Sequence, residues 1–154
     1  MLGTWIVLPY FVIKGAAYAL WCALGVRRFR PERASVIVPA LLLGSMRLML
    51  GLGFGVVIFL ASSAVFERLG EGDVFDPTAA MALTYLAVYV PVRWIEWGIV
   101  EALLHAGAGT ASGFLGGATA GARRWRLGGV LVSCLADVPV MVAAGGLPVG
   151  RFMC

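Results

Sequence analysis

The run from Thr78 to His105 is apolar almost throughout, yet it carries Arg93, Glu96, Glu101 and the tryptophans Trp94 and Trp97. A stretch this long and this apolar crosses a bilayer as a helix, because away from water a helix satisfies its backbone polar groups internally. Ionisable groups are expensive in that setting and need partners or a purpose. On a helix turning about 100° per residue, Glu96 lies about 60° to one side of Arg93. Trp97, Glu101, Trp94 and His105 lie about 40°, 80°, 100° and 120° to the other. About half of the helix circumference is thus a polar and aromatic seam, which other helices must cover.

Three further apolar runs are available to cover it. With 61% of residues hydrophobic and 13% charged, the chain lies far from soluble domains, which average about 45–50% apolar and about 25% charged. The expected fold class is an all-α membrane protein, a four-span transmembrane helical bundle. It forms a single integral membrane domain over residues 1–154, with spans at about 2–25, 36–66, 78–105 and 127–149.

The connecting charge sets the topology. Between Val26 and Ser35, four arginines stand against Glu32, a net +3. Between Glu67 and Pro77, three acidic residues remain in excess after Arg68, a net −3, and Arg123, Arg124 and Arg126 bring the third connection to +3. Basic connections stay in the cytoplasm, so both termini are expected outside, in a multi-pass protein of a bacterial-type inner membrane or plasma membrane. The N-terminus lacks a basic leader ahead of its apolar run, as an uncleaved first span does. Within the third connection, Ala106 to Ala122 is an uncharged Gly/Ala-rich tract. It is expected at the membrane interface or, alternatively, re-entrant among the helices.

Several local features are legible. Asp76-Pro77 has the form of a helix start with Asp76 as N-cap. Pro91 should kink the third span and free a carbonyl near Ala87. Gly15 with Ala19, and Gly51 with Gly55, are small-residue pairs suited to close helix approach. Trp5, Tyr10 and Trp21 suit the interfaces. Cys22 and Cys134 read as small buried hydrophobes, and no CxxC or multi-histidine pattern supports a metal or redox cofactor.

Depth is the most informative quantity. Lys14, Arg47, Arg93, Glu96 and Asp137 each lie 9–12 residues from the basic end of their span, about 14–18 Å into a core of about 30 Å. One layer near the midplane therefore collects three cations and two carboxylates, with Glu101 nearer the cytoplasm able to bring the sum to zero. Such a layer at least fixes which helices pair. Its surplus charge also suits an anionic lipid or other amphiphile held by Arg47 and Arg93, with Trp94 and Trp97 as flat walls and Lys14, Glu96, Glu101 and Asp137 completing the site. A polar pocket there, open to lipid or cytoplasm, is the corresponding expectation. The same charges could instead pair with a membrane-protein partner or a second copy, making the chain a subunit of a larger complex. The alternatives are a proton-coupled small-molecule transporter using Glu96, Glu101 or Asp137, and an intramembrane enzyme with Glu96 as general acid or base beside Arg93. Nucleic acid is not an expected partner.

Overall fold

A computed structural model describes residues 4–70, 76–105 and 119–144. All regular structure among them is helical. α1 spans Thr4–Phe29, α2 Ile37–Gly70, α3 Pro77–Thr84, α4 Val90–His105 and α5 Ala120–Ala144, and a π-helical turn, Tyr85–Tyr89, joins α3 to α4 without a break.

The helix ends have local causes. α1 stops two residues before Pro31, which disfavours helical geometry in the residue ahead of it, and Arg27 and Arg28 occupy its last turn, where cations oppose the helix dipole. α2 begins with Pro39 near its start, where a missing N–H costs nothing. The Asp76 carboxylate accepts from the N–H groups of Thr78 and Ala79 at 3.0 and 3.3 Å, with Pro77 at the first helical position. Pro91 does not simply kink the third span. It cannot donate to Ala87, and its ring crowds that carbonyl; the chain widens into the π-turn just ahead of it and continues.

The packing is inside out by the standard of a water-soluble bundle. Leu42, Leu60, Leu131 and Leu135 are more than 60% exposed, while Lys14, Arg47, Arg93, Glu96 and Arg126 are fully buried. Apolar groups face outward around the bundle and charges face its axis, as a hydrocarbon surround dictates. Three helical stretches, Pro9–Phe29, Ile37–Arg68 and Pro77–His105, are long and apolar enough to cross a membrane. α5 has 25 residues but carries Arg123, Arg124, Arg126 and Asp137, and it is not among those stretches.

Several boundaries move relative to the sequence expectation. α1 and α5 each reach further into the basic connections, so Arg27, Arg28, Arg123, Arg124 and Arg126 are helical rather than loop residues. α2 runs four residues past Phe66. The tract 106–122 falls outside the described residues except for its last four, of which Ala120–Ala122 already belong to α5.

Close helix approach occurs at Ala19, a member of one expected pair, and at further glycines. A Cβ on Gly44 would lie 2.8 Å from the Ala19 backbone nitrogen, whereas one on Gly15 would meet nothing within 4 Å, so α1 meets α2 at Ala19–Gly44. Gly129 gives the Trp97 ring its place, since a Cβ there would lie 2.5 Å from it. Gly51 and Gly55 are buried and Gly53 faces outward.

Candidate functional site: a buried row of charges

Lys14, on α1, sits on a stripe with Tyr10, Tyr18 and Cys22, spaced by four residues along one face. Tyr10 is therefore not an interfacial anchor: its hydroxyl donates to Asp137 Oδ1 at 3.0 Å. The Lys14 ammonium donates to the same oxygen at 2.6 Å and to Tyr10 at 2.5 Å. Asp137, on α5, offers its other oxygen to Arg93 Nη2 of α4 at 3.4 Å. Arg93 Nη1 reaches Glu96 Oε2, one turn on, at 3.3 Å, and the same Glu96 oxygen accepts from Arg47 Nη2 of α2 at 2.5 Å.

The five groups form a linear row, Lys14–Asp137–Arg93–Glu96–Arg47, in which cation and carboxylate alternate. Each of the four long helical segments contributes to it, and every member is at most 1% exposed. The row begins and ends on a cation, so among its five groups cations exceed carboxylates by one.

Its Arg47 end is the less complete one. The guanidinium lies between two aromatic faces, 4.9 Å from the Tyr18 ring centroid and 5.4 Å from that of Trp97, an arrangement attractive to a cation. Trp97 is held in turn by its indole N–H, which donates to Ser133 Oγ at 2.9 Å. Arg47 Nε and Nη1 make no hydrogen bond to any described residue, nor do Arg93 Nε and Glu96 Oε1.

Glu101 does not neutralise this row. Its Oε2 accepts from Arg126 Nε at 2.8 Å, in a separate buried pair, and the Arg126 guanidinium lies 4.9 Å over the Trp94 ring. Arg126 is the functional-looking residue that a loop assignment hid. Ala122, Trp125, Arg126, Gly129, Val130, Ser133, Ala136 and Asp137 form one buried stripe at helical spacing, and following it backwards from Asp137 would have placed Arg126 inside.

The eight expected site residues thus divide. Lys14, Arg47, Arg93, Glu96 and Asp137 come together, with Trp97 against Arg47, while Glu101 and Trp94 belong with Arg126. Three grooves on the bundle surface, of about 340, 360 and 440 Å³, are lined by other residues. Among the described residues, no cluster of three or more His, Cys, Asp or Glu could hold a metal ion. Chemically, the row can fix helix register, carry a proton between neighbours, or accept one further anion. Comparison with protein-family models, with curated proteins and with solved structures gives no match.

Proposed function

We propose that the chain is a four-span membrane protein with both termini outside, and that it binds one anionic amphiphile at the Arg47 end of the charge row. What carries this is the parity of the row: three cations alternate with two carboxylates, and Arg47 keeps two guanidinium donors without hydrogen-bond partners among the described residues. A buried surplus charge is costly in a membrane. One anion on Arg47 would extend the alternation and remove the surplus. A guanidinium is the suitable terminus, since its planar fork grips a carboxylate or phosphate with two donors. Tyr18 and Trp97 would then flank the headgroup. The fourth span is α5, whose arginines lie at the basic end and whose Asp137 lies at the depth of the other charges.

Native mass spectrometry of the purified protein tests this. One anionic lipid or metabolite should travel with the wild type and be lost from Arg47→Leu. Arg47→Lys should bind it more weakly, because one prong of the fork is gone. A wild type that carries no anion overturns the proposal.

The competing reading is proton coupling, favoured by the unbroken contact from Tyr10 through Lys14 to Asp137. There the surplus would be relieved by loss of a proton from Lys14. Proton uptake coupled to solute flux in proteoliposomes, abolished in Asp137→Asn and intact in Arg47→Leu, would select it instead.

A further inference from the structure

The largest of the three grooves lies at the basic end of the bundle, where the last turns of α1 meet the start of α5. It holds about 440 Å³ and is lined by Trp21, Leu24, Arg27, Arg28, Arg124 and Trp125, with Gly121 at its edge. Its cationic groups come from two helices and converge. Arg28 reaches across to α5 so closely that a Cβ on Gly121 would lie 3.2 Å from its Nη2. Arg27, Arg28 and Arg124 are all exposed, and none forms an ion pair with a described carboxylate. Nothing acidic lines the groove.

The floor is aromatic and rigid. The Trp21 and Trp125 rings stack at 6.5 Å between centroids, and the Trp21 indole donates to the Trp125 carbonyl at 3.2 Å. Directly below, toward the middle of the bundle, Leu20 and Leu24 on α1 and Leu127 and Leu131 on α5 are 48–68% exposed. Three cations at one level above an outward leucine surface match an anionic phospholipid: phosphate against the guanidiniums, acyl chains along the leucines.

We infer that this groove is a binding site for an anionic phospholipid of the cytoplasmic leaflet. It is separate from the Arg47 position, and it requires the placement of α5 across the bilayer proposed above but not the ligand at Arg47. Basic pockets between membrane helices on the cytoplasmic side select anionic headgroups, each cation near the surface adding about 1 kcal/mol. Three cations therefore give a preference of about a hundredfold over a zwitterionic lipid at the upper end. An acidic protein segment would satisfy the arginines equally but would leave the leucine surface without a role.

The test uses the full chain in detergent, titrated with phosphatidylglycerol or with phosphatidylcholine of identical acyl chains and read by native mass spectrometry. Phosphatidylglycerol should bind about tenfold or more tighter. In Arg47→Leu, which removes the other anion position, the preference should persist; in that background it should vanish in R27Q/R28Q/R124Q and fall several-fold in Arg124→Gln alone. Inorganic phosphate should not displace the lipid. Equal binding of the two lipids, a preference that survives the triple substitution while the variant stays folded, or displacement by phosphate alone would overturn the site. A fluorophore on R124C in liposomes separates the two levels of failure. If nitroxides on lipid headgroups quench it and no preference exists, the site alone falls; if they do not quench it, the placement of α5 falls and the site with it.

Discussion

Glu101 with Arg126 and the row from Lys14 to Arg47 use the same chemistry at neighbouring levels of one bundle, yet they differ in parity. The pair is even: one carboxylate, one guanidinium, a 2.8 Å hydrogen bond and a tryptophan face beneath the cation. The row is odd. In the pair, removing either partner takes from the other an opposite charge at hydrogen-bond distance, so the two losses should cost alike. In the row, removing a cation leaves two charges of each sign, whereas removing a carboxylate leaves three cations around one anion.

The sharpest way to break this comparison is Asp137→Ala. It leaves Lys14 and Arg93 without their shared acceptor and should destabilise the protein by about 3–5 kcal/mol, the scale for breaking a buried pair. Lys14→Met should cost distinctly less. If chemical unfolding in mixed micelles ranks Lys14→Met as the worse of the two, the row is not governed by its surplus charge.

A double-mutant cycle on the pair comes next. Glu101→Leu alone should lose about 3 kcal/mol, and adding Arg126→Leu should recover most of it, because a well-packed apolar replacement of a buried ion pair is often neutral. A double variant as unstable as the sum of its parts would mean that Arg126 serves more than Glu101. Gly129→Ala tests whether the row depends on steric seating as well as charge. Its methyl group would press on the Trp97 ring beside Arg47, with a cost of about 1–3 kcal/mol for overpacking; a melting temperature equal to the wild type would show that Trp97 yields freely. The smallest effect should be Asp76→Ala, which removes an N-cap outside both clusters and should cost about 1 kcal/mol, with no change in anion binding.

Much of the row was legible because hydrocarbon leaves so little freedom to an ionisable group. Counting residues from the basic end of each span was enough to put Lys14, Arg47, Arg93, Glu96 and Asp137 at one depth, and side chains at one depth on adjacent helices meet. The order of alternation was not legible, since it depends on helix azimuth and on rotamers. Arg126 was lost for a different reason. Three arginines within four residues resemble a connection, and the charge of Arg123 and Arg124 concealed a buried stripe on which Trp125 and Arg126 already lie. Tyr10 resembled an interface anchor for the same kind of reason: composition reports the neighbourhood of a residue, and only the four-residue spacing from Tyr10 to Cys22 reports which way its side chain turns. Gly44 and Gly129 stand outside the pairs read from the sequence, because each accommodates one neighbour, the Ala19 backbone or the Trp97 ring, rather than a second glycine.

The π-turn at Tyr85–Tyr89 has a consequence for the phase of the third span. Along this span one series of buried positions runs through Ala80, Thr84, Tyr89, Arg93, Trp97 and Glu101 in steps of four with a single step of five, which falls in the widened turn where Tyr85 and Val88 are buried as well. One residue rotates an α-helix by about 100°. Shortening the chain by one residue there would leave the span continuous and still apolar, but it would turn everything beyond by about a quarter of a revolution relative to α3. Arg93 and Glu96 would swing out of reach of Asp137 and Arg47. The whole electrostatic arrangement therefore hangs on a counting relation, one extra residue in one turn, and a one-residue deletion at Ala87 should be more disruptive than any single charge removal, even though Ala87 itself is exposed.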